Sequence, residues 1–477
     1  MASENDEPSF NPNDVSVGHK LAYGFGALPH ELAVTGVKYL GKEIFNVTLH
    51  LNASLVAIVF LITRVWDAFT DPYIGNKSDN TRSKWGRRKP FILSGAICAG
   101  IIFTFIWWVP KGIYGNMTLL FWWFMIFTLL HYTAVTIFQV PYNAFGYELS
   151  SDYHGRTKVF AYRTFFAQVA KLILPWTYFL CQLDIFNNDT MVGVKWVGAT
   201  AGAIIILFIL PTILKVPEGQ IKKARKQAKI KIWNSIRMTW KTEPFRILVF
   251  LTFVTIFGSN FVLALGTYVN IYYVAQGDTI LGAKLTGLGG TIGTIAAFAS
   301  IPLLTWLSIR IGKILTLGIC IGLIGIGSIL SWWLYTPESP YLQLITYPFM
   351  VMGDMGFWLF ITSMKADICD WDEWKTGYRR EGMFGAASGW FQKMTQALTF
   401  SGSLFLLDFI GFDPALKGDQ GDGTILWMRL VYAGMPALLA IAGIIALKLY
   451  PMNGKKALEI QTDLKTRRAK AESNPEE

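Results

Sequence analysis

Apolar residues fall in blocks of about twenty, separated by short polar joints, along nearly the whole chain. A helix rises about 1.5 Å per residue, so each block is long enough to cross roughly 30 Å of hydrocarbon. The blocks lie near about 21–49, 53–75, 90–110, 118–147, 159–181 and 194–214, then near about 245–275, 281–306, 314–335, 341–363, 383–409 and 425–450. The pattern predicts an all-α polytopic membrane protein with twelve transmembrane helices. Between the sixth and seventh blocks, Lys215 to Glu243 is polar and contains Lys222, Lys223, Arg225, Lys226, Lys229, Lys231, Arg237 and Lys241. Such a stretch predicts a linker along a membrane surface. The expected organisation is a segment over about 1–20, a six-helix bundle over about 21–214, a basic linker over about 215–243, a second bundle over about 244–450 and a tail over about 451–477.

Composition sharpens this picture. Of 477 residues, 52% are hydrophobic and only 16% charged, against roughly 25% charged in soluble domains, which excludes a soluble enzyme. The net charge of +11 is concentrated in particular joints. One holds Lys77, Arg82, Lys84, Arg87, Arg88 and Lys89; the tail holds Lys455, Lys456, Lys465, Arg467, Arg468 and Lys470. Joints on the opposite side carry little beyond Lys111 and Lys417. Basic joints stay inside, so both termini are expected in the cytoplasm and the chain in the inner (plasma) membrane. The charge then records topology and contact with the anionic lipid bilayer, with no nucleic-acid partner. Met1 to Asp14 is acidic and lacks the basic start and apolar core of a signal peptide. Cys98, Cys181, Cys320 and Cys369 are too scattered for a disulfide framework or zinc site and read as packing residues.

Charged residues inside the blocks need a reason, because ionisable groups at that depth are costly and usually line a cavity or an ion path. Arg64, Asp67 and Asp71, in Arg64-Val65-Trp66-Asp67-Ala68-Phe69-Thr70-Asp71-Pro72, sit at i, i+3 and i+7 and share one helical face. This face is the candidate cation-binding element. Gly75, Asp79, Arg82, Gly86, Arg87 and Arg88 follow in a loop with the character of a gate, where charged groups exchange partners at helix ends. On the first helix Glu31, Thr35, Lys38 and Lys42 share a face. Lys38 and Lys42 either neutralise nearby carboxylates such as Glu43 or, in the functional reading, Glu31 binds substrate hydroxyls and Lys38 an anionic substituent. Thr136, Gln139, Pro141, Tyr142 and Asn143 place polar groups around a proline in the fourth helix, as a binding cavity requires. Arg163 and Lys171 share a face of the fifth; Arg163 suits forked contacts with carboxylate or hydroxyl pairs, or a structural partner such as Asp67. Trp358 precedes a charged loop from Lys365 to Lys375 that reaches Arg379, Arg380 and Glu381, and Lys393 stands alone in the eleventh helix, in need of an acidic partner.

Through these residues, and over nearly the whole chain from Tyr23-Gly24-Phe25-Gly26 onward, the sequence resembles the glycoside/pentoside/hexuronide:cation symporter (melibiose permease-like) family of the major facilitator superfamily. The strongest piece is Arg64 to Pro72 followed by Thr81-Arg82-Ser83-Lys84-Trp85-Gly86. The resemblance implies the major facilitator fold, two six-helix bundles that rock to expose a midplane site alternately. It implies a coupling ion, sodium or proton, at Asp67 and Asp71, helped by Thr136. It further implies sugar contacts from Glu31, Arg163, Trp358 and Lys393. Departures from the family pattern are Gln139 for an aspartate, Asn143 for a tryptophan, Thr70 for an asparagine at the cation site and Lys38 for a tyrosine. One carboxylate lost and one ammonium gained makes an anionic sugar the leading substrate class: a uronate, a glucuronide or a sulfonated hexose. A neutral glycoside is the alternative.

Two competitors frame that expectation. Paired aspartates one turn apart can also hold a divalent metal in an intramembrane enzyme, against which stand the two-bundle plan and the absence of His or Cys clustering with them. A carrier of the same fold for a lysolipid would use the cationic cavity for a phosphate. No cofactor is expected besides the coupling ion, and a single chain is expected to be a complete carrier.

Overall fold

The computed structural model describes residues 15–81, 83–149, 153–187, 189–217, 239–377, 381–452 and 454–473. Arg82, Arg379, Arg380, most of the basic linker and the acidic first fourteen residues lie outside them. The chain divides into two compact units, one ending at Gln227 and one beginning at Ala228.

In the first unit the helices are α1 (Val17–Phe25), α2 (Ala27–Gly41), α3 (Ala53–Asn80), α4 (Lys89–Trp107), α5 (Met117–Glu148), α6 (Tyr153–Ile173), α7 (Thr177–Leu180), α8 (Thr190–Leu207) and α9 (Leu210–Lys215). In the second they are α10 (Glu243–Tyr268), α11 (Thr279–Ile311), α12 (Lys313–Leu334), α13 (Thr346–Thr376), α14 (Glu381–Phe409), α15 (Asp422–Lys448) and α16 (Gly454–Ser473). Among the described residues nine helical stretches are long and apolar enough to cross a membrane. The other three expected spans are helical but more polar: α1 and α2 with the segment after them carry Glu31, Lys38, Lys42 and Glu43, α6 carries Arg163 and Lys171, and α14 carries Lys393.

Local chemistry sets the helix ends. Asn116, Asp189 and Asp278 accept from backbone N–H groups in the first turns of α5, α8 and α11, which satisfies donors that have no partner within the helix. Each unit closes its first long helix with a π-helical turn, Lys42–Thr48 and Val269–Val274. A residue with positive φ follows each, His50 at 56° and Gln276 at 50°. The same device at the same place in both halves is the mark of an internal repeat.

Three boundaries differ from expectation. The first span is not one helix, because the chain breaks at Gly26 between α1 and α2. The second does not end near Gly75: α3 continues to Asn80, so Gly75 and Asp79 are helical. The extra turns are held by side chains, with Asn80 Nδ2 donating to Asn76 O at 2.8 Å and Thr81 Oγ1 to Lys77 O at 2.8 Å. The expected loop from Lys365 to Lys375 is also helix, the end of α13. Trp371 and Ile368 join Ile460 and Leu464 of α16 in one buried apolar cluster. Trp374 Nε1 donates to Asp463 Oδ2 at 2.7 Å, and Lys313 pairs with Asp367 at 3.0 Å. Buried apolar positions at helical spacing, each with a packing partner, override the polar composition. Gly377, at φ 72°, then ends the helix.

Lipid tails are as apolar as leucine, so close packing, rather than escape from water, holds such helices together. In the first unit Tyr23 and Tyr142 stack at 4.9 Å, and each hydroxyl donates to the other's backbone carbonyl, at 3.3 Å and 2.8 Å. Glycine is required beside them: a Cβ on Gly24 would stand 2.9 Å from the Tyr162 backbone, and one on Gly26 would stand 2.5 Å from Thr212 Oγ1. In the second unit Phe245, Leu248, Phe357, Phe384 and Leu447 form the heart of the apolar cluster that α16 completes.

Candidate functional site

The helical spacing of Arg64, Asp67 and Asp71 works out as their shared face predicts. Arg64 Nη1 donates to Asp67 Oδ2 at 2.8 Å, and both side chains are largely buried. The guanidinium lies 4.7 Å from the centre of the Tyr132 ring on α5, where a cation is attracted by the ring face. One turn further along α3, Asp71 Oδ1 accepts from Thr136 Oγ1 of α5 at 3.1 Å. Trp66 Nε1 donates to Thr133 Oγ1 at 2.9 Å. Residues 132, 133 and 136 of α5 thus hold Arg64, Trp66 and Asp71 of α3 in register, an arrangement that no single-helix pattern contains. The Thr70 hydroxyl donates to the Trp66 carbonyl one turn back, at 3.2 Å.

The polar face of α2 separates into two parts. Lys42 and Glu43, buried in the π-helical turn, pair at 3.2 Å, so Lys42 has a structural partner. Lys38 is half-buried and makes no hydrogen bond or ion pair with any described residue. It lies within charge-interaction range of Arg64, Asp67 and Glu31. Glu31 is half-buried, with His30 Nδ1 3.6 Å from its Oε1 and with Arg163 and Lys171 of α6 within charge-interaction range. Sequence reasoning did not include His30, which is buried behind Glu31 against Phe138 and Tyr142; its only sequence signal is adjacency to Glu31.

On α5 and α6, Arg163 Nη2 donates to Asn143 Oδ1 at 2.6 Å, and the guanidinium lies 5.5 Å from the Tyr142 ring. Asn143 therefore orients Arg163, and Asp67, considered as a partner for Arg163, is taken by Arg64. Gln139 is half-buried with its amide unengaged by described residues. Structure brings Glu31, Lys38, Arg64, Asp67, Arg163 and Lys171 into one connected set of contacts and charge interactions within the first unit, with the Asp71–Thr136 pair one turn further along α3. In the second unit Trp358 is half-buried on α13, edge-on to Phe357 at 5.6 Å, and Lys393 is half-buried on α14.

At the joint after α3, Asp79 pairs with Arg88 at 3.0 Å, the helix-end pairing expected of that segment. Gly86 has φ 98°, which favours glycine, and Arg87 is half-buried. A Cβ on Gly75 would meet Val140 at 3.5 Å, an ordinary contact.

Several spanning helices, two units with the same opening device and a charged cluster buried in one of them define a polytopic membrane transporter with the major facilitator fold. Residues 22–454 match the family described as MFS/sugar transport protein, and the chain belongs to that family. Among its relatives, a glucuronide carrier protein homolog of Escherichia coli K12 is 24% identical over 463 residues, covering 95% of this chain and 94% of that protein. The human sodium-dependent lysophosphatidylcholine symporter 1 is 23% identical over 525 residues, covering 98% and 92%. The crystal structure of a D-xylose-proton symporter aligns with a TM-score of 0.60 at 15% identity, covering 89% of this chain and 96% of that chain.

Proposed function

We propose that the protein is a cation-coupled symporter for an anionic sugar such as a uronate, a glucuronide or a sulfonated hexose. The observation that carries the substrate class is the charge balance of the first unit. Lys38, Arg64, Arg163 and Lys171 stand against Glu31, Asp67 and Asp71, and Lys38 makes no hydrogen bond or ion pair with any described residue. An ammonium buried in a membrane without a counter-ion is costly, and a substrate anion would relieve that cost. The name of the Escherichia coli relative, a glucuronide carrier homolog, supports the same class.

In this reading Asp67, Asp71 and Thr136 hold the coupling ion. Carboxylate and hydroxyl oxygens together suit a hard ion such as sodium, the ion named for the human relative. Neutralising two carboxylates one helical turn apart lowers the cost of keeping them there. Glu31 and Gln139 meet sugar hydroxyls, Arg163, oriented by Asn143, makes a forked contact, and Lys38 takes the anionic group. Trp358 offers a ring face and Lys393 a second ammonium. The chemistry is transport without covalent change to the substrate. The protein is inserted in the inner (plasma) membrane with both termini in the cytoplasm and works as a single chain.

The test is binding of neutral sugars, uronates and sulfonated sugars to the purified protein, read by thermal shift with sodium and with choline in its place. A ligand that binds only the folded state raises the melting temperature, and a coupled one does so more when its ion is present. An acidic sugar that stabilises in sodium, with the effect lost in Lys38→Met, supports the reading. A response to neutral sugars alone refutes the substrate class, and a response to lysophosphatidylcholine alone favours the lipid carrier.

A further inference from the structure

His30, near the start of α2, has both ring nitrogens buried, and neither makes a hydrogen bond with a described residue. A neutral imidazole carries one N–H donor and one acceptor nitrogen, and leaving both dry costs free energy. The aromatic neighbours give no relief. Phe138 meets the ring edge-on at 6.0 Å and Tyr142 is tilted against it at 5.6 Å. The Tyr142 hydroxyl is engaged by the Tyr23 carbonyl, and the Tyr23 hydroxyl by the Tyr142 carbonyl. The polar group in reach is Glu31, whose Oε1 stands 3.6 Å from His30 Nδ1, just outside hydrogen-bonding distance. Glu31 has no other ion pair with a described residue.

We propose that His30 is a proton-binding site that sets the charge of the substrate site through Glu31. Its effect on binding rests on the reading of the substrate as an anion. A proton taken from water onto the ring makes both nitrogens donors, and Nδ1 then closes on Glu31 in a charge-assisted hydrogen bond. The other groups whose charges bear on the pair are Lys38 and Tyr39 on α2, Tyr142 on α5, Tyr23 of α1 stacked on Tyr142, and Arg163 and Lys171 on α6. With His30 neutral, the Glu31 carboxylate offsets part of the cationic charge of Lys38, Arg163 and Lys171. With His30 protonated, that carboxylate is matched, and the cations are left to an anion from outside the protein. Glu31 and its proton source are adjacent in sequence, so one turn of helix holds them together in every conformation of the carrier. By reciprocity the anion raises the affinity of His30 for its proton by the factor that the proton raises the affinity for the anion. Anion and proton are then carried as a pair, whatever ion occupies Asp67 and Asp71. A neutral sugar leaves the charge of the site unchanged and gains nothing from the proton.

The test compares D-glucuronate with D-glucuronamide, which has nearly the same shape and no charge, by titration calorimetry on the full-length protein at fixed sodium. Measurements at about pH 6 and about pH 8 bracket the range in which histidine ordinarily titrates, and the sugar carboxylate is ionised at both. Glucuronate is expected to bind about tenfold more tightly at the lower pH, a typical coupling factor, and to take up a proton, read from the heats in two buffers of unlike ionisation enthalpy. Glucuronamide is expected to do neither. His30→Gln, which stays neutral, is expected to abolish both the pH dependence and the proton uptake. His30→Lys, which keeps a cation beside Glu31, is expected to bind glucuronate tightly at both pH values and serves if His30→Gln does not fold. A merely structural histidine would, when replaced, weaken both sugars and leave the pH profile in place. A profile that survives in His30→Gln overturns the proton site, and its loss in Lys38→Met would assign the proton to Lys38 instead. The second measurement needs no sugar. The chain has five histidines, so with 13C-labelled histidine the His30 signal is found by its loss in His30→Gln and followed against pH. If the wild-type protein binds neither sugar, the anionic-substrate reading fails separately. The proton site is then judged on this signal: titration between about pH 5 and about pH 8.5 upholds it, and a signal that does not move overturns it.

Discussion

Thr136→Val removes one hydroxyl and keeps the branched shape, so it isolates a single interaction. In the structure that hydroxyl is buried and donates to Asp71 Oδ1 at 3.1 Å. A hydrogen bond to a charged group contributes about 1.5–3 kcal/mol, and each 1.4 kcal/mol is about tenfold in affinity. The hydroxyl oxygen is also a candidate ligand for the ion, so its loss removes a ligand and the group that orients Asp71 together. Sodium affinity is expected to fall by about tenfold to a hundredfold on the same arithmetic. The assay is a sodium titration of the melting temperature of purified protein, at fixed pH and ionic strength with choline as the replacement cation. Thr136→Ser keeps the hydroxyl and is expected to stay close to wild type. Identical half-saturation in wild type and Thr136→Val would refute the assignment of Thr136 to the cation site.

Other expected outcomes follow from single contacts. Asn143→Ala releases Arg163 from its 2.6 Å tether and should weaken sugar binding by about tenfold, the scale of one charge-assisted hydrogen bond, while leaving sodium binding unchanged in the same titration. Gly26→Ala drives a methyl group to 2.5 Å from Thr212 Oγ1, which is itself held by a 2.7 Å bond to Ala22 O. Its cost, about 1–3 kcal/mol, should appear as a lower melting temperature, whereas Gly75→Ala, with 3.5 Å of room, should not lower it. Tyr450, just beyond α15, buries its hydroxyl without a hydrogen-bond partner among the described residues. Burial and, secondly, the Asp367 carboxylate raise its phenol well above the ordinary tyrosine value. A raised phenol contributes stability that is present below the unfolded value of about 10 and is lost as pH rises above it. Tyr450→Phe should therefore melt no lower than wild type at neutral pH and lose less stability in an alkaline melting series.

Much of the candidate site was legible because helical periodicity is a local rule. Arg64 and Asp67 are three residues apart, so their 2.8 Å contact requires only that the segment be a helix. The same rule placed Glu31 and Lys38 on one face. It did not show which lysine is satisfied: Lys42 pairs with Glu43 inside a π-helical turn, and a π turn alters the side-chain spacing on which the face was drawn. The Asn143–Arg163 bond joins two helices, so no pattern within one helix contains it. The polar run from Lys365 to Lys375 has the composition of a loop, which hides the buried positions that pack on α16.

By itself the sequence determined the class of protein, the sites of buried charge and the excess of cations among them. Those properties follow from hydrophobic block length and from the cost of placing an ion in hydrocarbon, both of which act along one chain segment at a time. Only the tertiary structure decided how the charged groups are held between helices. Asp71 of α3 is held by Thr136 of α5 and Arg163 of α6 by Asn143 of α5, while Lys38 makes no hydrogen bond or ion pair with any described residue. Pairing depends on which helices meet and at what height, and that is set by packing such as the reciprocal Tyr23–Tyr142 contact and the glycines that let it close.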